Sequence, residues 1–121
     1  PQDPDASAQR IRTGIRTHAK VEVAVLVSDT FGRPFRDGLT DVALGVAGID
    51  ALLDLRGQTD LNGKELHHTV IAQADALAAA AGLVMGKGDG VPAVVIRGYE
   101  FTPAVGSGFD LVRPRELDLF R

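Results

Sequence analysis

The sequence predicts an α/β domain, a mixed sheet with two main helices, and three observations carry that expectation. Residues 21–27 (VEVAVLV) and 91–98 (VPAVVIRG) are short, β-branched and strongly apolar, the pattern of buried strands. Residues 5–19 and 67–85 instead carry apolar side chains three and four apart, the period of a helix with one buried face. Glycine, proline and asparagine punctuate the joints between these segments. Strands and helices mixed in this way indicate an α/β architecture, and the long connections between strands permit parallel pairing.

Taken in order, the first helix is expected over residues 5–19, with Asp5 accepting the free amide protons of its first turn. Ala8, Ile11 and Ile15 form its apolar stripe, Gly14 weakens it, and Arg16 and Lys20 suit its negative end. The strand at 21–27 leads into SDTFGRPFRDGLTD, residues 28–41, which crowds carboxylates, arginines and turn residues together. Residues 42–49 and 51–57 are expected to be extended, and Asn62-Gly63 marks a turn. The second helix is expected over 67–85, with Val70, Ala74, Leu77, Ala81 and Val84 on its apolar face. Gly86 can end it in a left-handed turn. Pro92 stands near the start of the second strand, where a missing amide donor is tolerated. Residues 109–112 (FDLV) read as a further strand and residues 115–120 (RELDLF) as a short helical turn.

The chain has 121 residues, one domain's worth, so residues 1–121 are taken as a single domain. With 45% apolar and 24% charged residues it has the balance of a soluble globular protein. A net charge of −3 argues against a general nucleic-acid binder. Cysteine is absent, which excludes disulfides, thiolate zinc sites and cysteine nucleophiles, and fits a reducing compartment such as the cytoplasm. No apolar run approaches the ~20 residues of a membrane helix, and there is no signal-peptide pattern. The charged opening PQDPDAS suggests the lead-in to a helix within a longer protein.

Asp29 and Thr30 follow the first buried strand, where α/β sheets commonly bind ligands, and a carboxylate beside a hydroxyl suits Mg²⁺ or Mn²⁺. From spacing alone, satisfying backbone amides in a turn is the plainer account of the same two side chains. Arg33 and Arg36 flank Pro34 and suit an anionic substrate; pairing with Asp29, Asp37 or Asp41 is the competing account. Asp41 could support the site from behind or cap the next segment. MGKGDG, residues 85–90, could bring backbone amides close to a phosphate, with Lys87 adding charge. It lacks the ending of a Walker A loop and comes after a helix, so a plain helix cap explains it as well. His67 and His68 are adjacent and cannot share one helix face, so one is expected to be exposed and the other packed. His18 is expected at the surface near a helix end. No catalytic residue can be named from these patterns.

The segment VSDTFGRPFRDGLTDVALGVAGI, followed by GKELHHTVIAQADALAAAAGLVMGKGDGVPAVVIRG, resembles the coenzyme F420-0:L-glutamate ligase (γ-glutamyl ligase) family. The start DPDASAQRIR is similar to the family's DPDxSAxxIR, so the resemblance runs from about residue 3 to residue 98. It implies a ligase that adds L-glutamate to the tail of the deazaflavin coenzyme F420 through γ-linked amides. GTP drives the reaction, with Mg²⁺ or Mn²⁺ and K⁺ as cofactors. Asp29 and Thr30 then fall at the metal site. Met85, Gly86, Lys87 and Gly88 fall at the nucleotide, and the same loop continues through Asp89, Gly90 and Val91. Some relatives carry a metal-ligating glutamine where this chain has Lys87, whose ammonium has no lone pair to offer a metal and could only contact phosphate.

The resemblance also implies that this chain is the C-terminal part of a ligase domain about twice as long, in which the preceding half supplies another metal-binding aspartate. The isolated chain is then expected to be inactive and to form a homodimer. The partners expected are coenzyme F420-0, L-glutamate and GTP, with no nucleic acid and no membrane. The alternative is a non-catalytic oligomerisation or nucleotide- and metal-binding module.

Overall fold

A computed structural model describes residues 1–118. Helix α1 (Pro4–Ala19) opens with Asp3 as its cap, whose Oδ1 accepts from Ala6 N at 2.8 Å, and Pro4 occupies the first turn. The expected cap, Asp5, is instead free to reach across the fold. Its Oδ1 accepts from Val46 N at 2.8 Å and Gly108 N at 2.9 Å, and its Oδ2 accepts from Ser107 Oγ. Of the expected apolar stripe, Ala8 is fully buried, Ile15 is half-buried and Ile11 is half exposed.

The first strand starts later and runs further than the sequence indicates. Residues 21–24 do not enter a ladder, and Arg12 from α1 reaches over them. Its Nε donates to Val23 O at 2.9 Å, and its Nη2 pairs with Glu22 at 3.0 Å. Strand β1 (Val25–Gly32) then continues through Asp29 and Thr30 and pairs antiparallel with β2 (Leu39–Ala47), with a bulge between Val27 and Ser28. The crowded segment 28–41 is therefore mostly a β-hairpin, turned at residues 33–38, and β1 is half-buried at most. The pairing expected as possibly parallel is antiparallel here, because a short turn can only return the chain alongside itself.

Of the extended segment 51–57 only β3 (Leu53–Asp54) forms a strand, against β4 (Val70–Ile71). The turn at Asn62-Gly63 is present, with Gly63 at φ 78° and its amide donating to Asp60 O at 3.0 Å. Because Val70 and Ile71 pair with β3, helix α2 spans Gln73–Met85 and not the expected 67–85. Ala74 and Ala78 bury its inner face, while Leu83 and Val84 stay exposed. Gly86 ends α2 at φ 61°, ψ −167°, a conformation essentially reserved for glycine but outside the expected left-handed turn.

Residues 91–98 form no strand. Their backbone finds no ladder partner among the described residues, and only Val94 is half-buried. The expected strand 109–112 is instead part of a 3₁₀ turn, Gly108–Leu111, capped by Ser107. A second 3₁₀ turn spans Arg115–Leu117, and Leu119 and Phe120 of the expected helical turn lie outside the described residues.

The fold is thus mixed α/β, with two α-helices and two small antiparallel sheets among the described residues. Helices α1 and α2 both pack on β2, and the core gathers Ala43, Val46, Ile49 and Ala51 with Ala74 and Ala78 of α2. Small side chains dominate that core, so backbones approach closely. A Cβ on Gly45 would overlap the backbone of Pro4, which marks where α1 crosses β2.

Candidate functional site

Thr30 and Asp41 are directly opposed in the β1–β2 ladder, so their side chains share one face of the hairpin. Thr30 Oγ1 donates to Asp41 Oδ1 at 3.2 Å. Lys87, just past the end of α2, reaches the same point: its ammonium donates to Thr30 Oγ1, and to Asp41 Oδ1 at 3.0 Å. Asp41 is 7% exposed, whereas the Lys87 side chain is 66% exposed. A buried carboxylate is therefore balanced by a largely exposed lysine.

Helix α2 makes room for this arrangement with Gly82. A Cβ there would overlap Asp41 Oδ2, so the carboxylate lies directly on the helix backbone. Asp75, in the first turn of α2, accepts from Ala43 N at 2.9 Å and fixes the helix against β2. The same end of α2 is held by Gln73. Its Nε2 donates to Asp50 O at 2.8 Å, and its Oε1 accepts from Tyr99 Oη at 2.8 Å.

Thr30, Asp41 and Lys87 border a cleft of about 190 Å³ between the hairpin and the C-terminal end of α2. Ser28, Asp29 and Thr30 line one side with Asp41, and Met85, Gly86, Lys87 and Val91 line the other. The two sequence segments singled out, far apart in the chain, thus meet. A larger hollow of about 420 Å³ lies beside β3 and the 3₁₀ turn, but among the described residues Asp50 and Asp110 are its only ionisable groups and no cation lines it. The smaller cleft, with both signs of charge and a hydroxyl, is the better chemical candidate.

Within β1, Asp29 and Thr30 are neighbours, and strand alternation sends such side chains to opposite faces. Asp29 is exposed and its Oδ1 accepts from Thr30 N at 2.7 Å. Arg33 and Arg36 sit in the hairpin turn, outside the cleft lining. Arg33 Nη2 donates to Asp37 O at 3.2 Å, while its Nε is shielded from solvent without a hydrogen-bond partner among the described residues. In the glycine loop, Gly86 and Gly90 have positive φ and Asp89 folds its carboxylate back over Gly86; Gly88, Asp89 and Gly90 do not line the cleft. His67 and His68 are both exposed, so neither packs, and His18 is at the surface, hydrogen-bonded to Gly14 O at 2.8 Å.

The donors present are hard oxygens, the type that Mg²⁺ and Mn²⁺ select. No group of three or more His, Cys, Asp or Glu side chains gathers among the described residues. That still fits Mg²⁺, which is commonly held by one or two carboxylates together with substrate phosphates and water. Sequence reasoning undervalued Asp41 and overlooked Gly82; the signal was the symmetric placement of Thr30 and Asp41 about the turn. Asp5 as an interelement acceptor left no local signal.

Residues 1–98 match the family model described as F420-0:Gamma-glutamyl ligase. The chain belongs to that family. It is 52% identical to a coenzyme F420:L-glutamate ligase of Methanothermobacter thermautotrophicus, covering 100% of this chain and 49% of that protein. The protein of the same name in Haloarcula marismortui is 53% identical, with 100% and 47% covered. That of Methanocaldococcus jannaschii is 48% identical, with 100% and 49% covered. This member of the γ-glutamyl ligase family thus spans about half the length of the curated relatives it matches. No helix among its described residues is long and apolar enough to cross a membrane.

Proposed function

We propose that this chain is the C-terminal portion of a cytoplasmic, GTP-dependent ligase that adds L-glutamate through γ-linkages to coenzyme F420-0. The observation that carries the proposal is the Thr30–Asp41–Lys87 cluster, set at the mouth of a cleft in a chain of γ-glutamyl ligase lineage. Its mix of exposed cation, buried carboxylate and glycine-rich backbone suits an anionic phosphate donor.

In the proposed reaction an oxygen of the acceptor carboxylate attacks the γ-phosphorus of GTP, GDP leaves, and an acyl phosphate forms. The glutamate amine then attacks the acyl carbon, inorganic phosphate leaves, and the amine gives up its proton. Lys87 leaves Asp41 and neutralises phosphate oxygens, a motion that its exposed side chain allows. Asp41 stays fixed on the backbone of α2 and orients the Thr30 hydroxyl. Asp29 would hold Mg²⁺ or Mn²⁺ through its exposed carboxylate, with Thr30 beside it in the cleft lining but its side chain on the opposite face of β1, and K⁺ is a further cofactor. Such a divalent ion, when bound, offsets charge on the phosphates. Met85, Gly86, Lys87, Gly88, Asp89, Gly90 and Val91 form the nucleotide loop, and Arg33 and Arg36 draw the anionic acceptor.

The chain exposes 9139 Å², against about 6,200 Å² for a folded monomer of its mass. That surplus is of the size that obligate interfaces cover. It supports a homodimer and a further half of the ligase covering residues 91–105, where Val95 and Val105 are exposed. It equally favours the second reading, an assembly module without activity of its own. The deciding experiment incubates the longest natural polypeptide carrying this chain with GTP, L-glutamate, F420-0 and Mg²⁺. Mass spectrometry should find acceptor lengthened by a glutamyl unit, with phosphate released in step. Neither product would leave the assembly module as the function.

A further inference from the structure

We infer that the hairpin tip is a ligand platform, in which Phe35 stacks on the flat heteroaromatic ring of the acceptor coenzyme while Arg33 and Arg36 face its anionic part. The inference rests on the ligase function proposed above. Phe35 is 97% exposed and has φ 62°, a backbone conformation that disfavours any side chain beyond glycine. Gly38 serves the same turn at φ 83° without such conflict. An aromatic ring held in a disfavoured conformation and fully in water contributes nothing to the core of this chain. Strain of that sort concentrates where a ligand is held.

The guanidinium beside it is only partly satisfied. Arg33 makes one 3.2 Å bond to Asp37 O, and its Nε has no partner among the described residues. Arg36, on the other side of Phe35, is exposed. Aromatic face and guanidinium together recognise a flat ring carrying negative charge.

The surface between tip and cleft suits an extended ligand. On the Thr30–Asp41 face the next rung outward is Gly32 opposite Leu39. Gly32 offers no side chain, and Leu39 is 71% exposed, so this rung is an open apolar shelf. At a strand's rise per residue, the tip lies about 10 Å beyond the Thr30–Asp41 rung. A deazaflavin is a flat heteroaromatic ring whose anionic tail ends in the carboxylate to be extended. With that carboxylate in the cleft, the tail lies along the shelf and the ring reaches Phe35. Guanine shares the flat chemistry, but the nucleotide is assigned to the glycine loop across the cleft, which leaves the tip to the deazaflavin.

The test uses the complete ligase polypeptide carrying this chain. Phe35→Gly removes the ring and suits the backbone, so the thermal midpoint should stay level or rise. F420-0 affinity, read from deazaflavin fluorescence, should weaken at least about fivefold, the lower end for loss of one stacked ring. Phe35→Trp should keep it, Phe35→Leu should not, and GTP affinity by calorimetry should be unchanged. Unaltered F420-0 binding by Phe35→Gly, full binding by Phe35→Leu, or a loss confined to GTP would each overturn the platform. Wild-type protein that binds no F420-0 would overturn the ligase function as well, whereas a binding wild type with an unaffected variant removes the platform alone.

Discussion

Thr30 and Asp41 face each other across the β1–β2 ladder, joined by a 3.2 Å hydrogen bond and bridged by the ammonium of Lys87. Replacing Asp41 by Asn keeps the shape and removes the charge. Lys87 is well exposed, so stability should fall by less than about 1 kcal/mol. Glutamate addition by the complete ligase should fall at least about tenfold, because the Thr30 hydroxyl and the Lys87 ammonium lose the charged acceptor that positions them. Denaturant melts and steady-state rates separate the two effects, and an unimpaired rate would remove Asp41 from the site.

Gly82 sets two effects against each other. Alanine is the better helix former by about 1 kcal/mol. Its Cβ, however, would overlap Asp41 Oδ2, and the carboxylate can retreat only by breaking with Thr30 and Lys87. Overpacking typically costs about 1–3 kcal/mol. Gly82→Ala should therefore lower the urea midpoint, and a stabilised variant would show that the carboxylate has room to move.

Asp5 should shape the acid limb of stability. Burial alone would raise its pKa, but hydrogen bonds from Ser107 Oγ, Gly108 N and Val46 N outweigh burial and lower it below the ordinary 3.8. A depressed carboxyl stabilises the fold above its unfolded pKa and loses that effect as pH falls through its folded value. Wild-type stability should thus drop below about pH 3.8, and Asp5→Asn should start lower and show a flatter drop. Urea midpoints from pH 2 to 6 give both curves; parallel curves would exclude Asp5 as the cause.

Asp29→Asn in the complete ligase should raise the Mg²⁺ or Mn²⁺ concentration needed for half-maximal rate by about tenfold or more, since even residues behind a metal ligand matter that much. An unchanged metal requirement would assign the metal elsewhere.

The purified chain, residues 1–121, should form a twofold homodimer and show no glutamate addition. Sedimentation equilibrium at micromolar concentration reads the first, and a single species at 12.7 kDa would reject it. Measurable turnover would reject the second and show that the site is self-contained.

The α/β class and the main helices were legible because they rest on local period and turn chemistry. Ladder partners were not. Residues 91–98 have the composition of a buried strand, yet composition cannot supply a neighbour, and the segment finds no ladder among the described residues. Residues 67–72 carry helical spacing, but pairing of Val70 and Ile71 with β3 overrides it. The site obeyed the same rule. Asp29, Thr30 and Lys87 stood out by residue type, whereas the bond joining Thr30, Asp41 and Lys87 depends on hairpin register and the reach of α2. Reading Asp29 and Thr30 as a strand's end also concealed that β1 runs on to Gly32 and separates their side chains.

The carboxylate of Asp5 has a consequence for synthesis. It joins the first helix to Ser107 and Gly108, more than a hundred residues later. During translation at about 5–20 residues per second, α1 emerges roughly 5–20 s before those partners exist. Val46 follows Asp5 by 41 residues, so for the first part of that interval Asp5 has none of these partners and for the rest it has Val46 alone. Latching of α1 to the C-terminal segment therefore waits until Ser107 and Gly108 have been made.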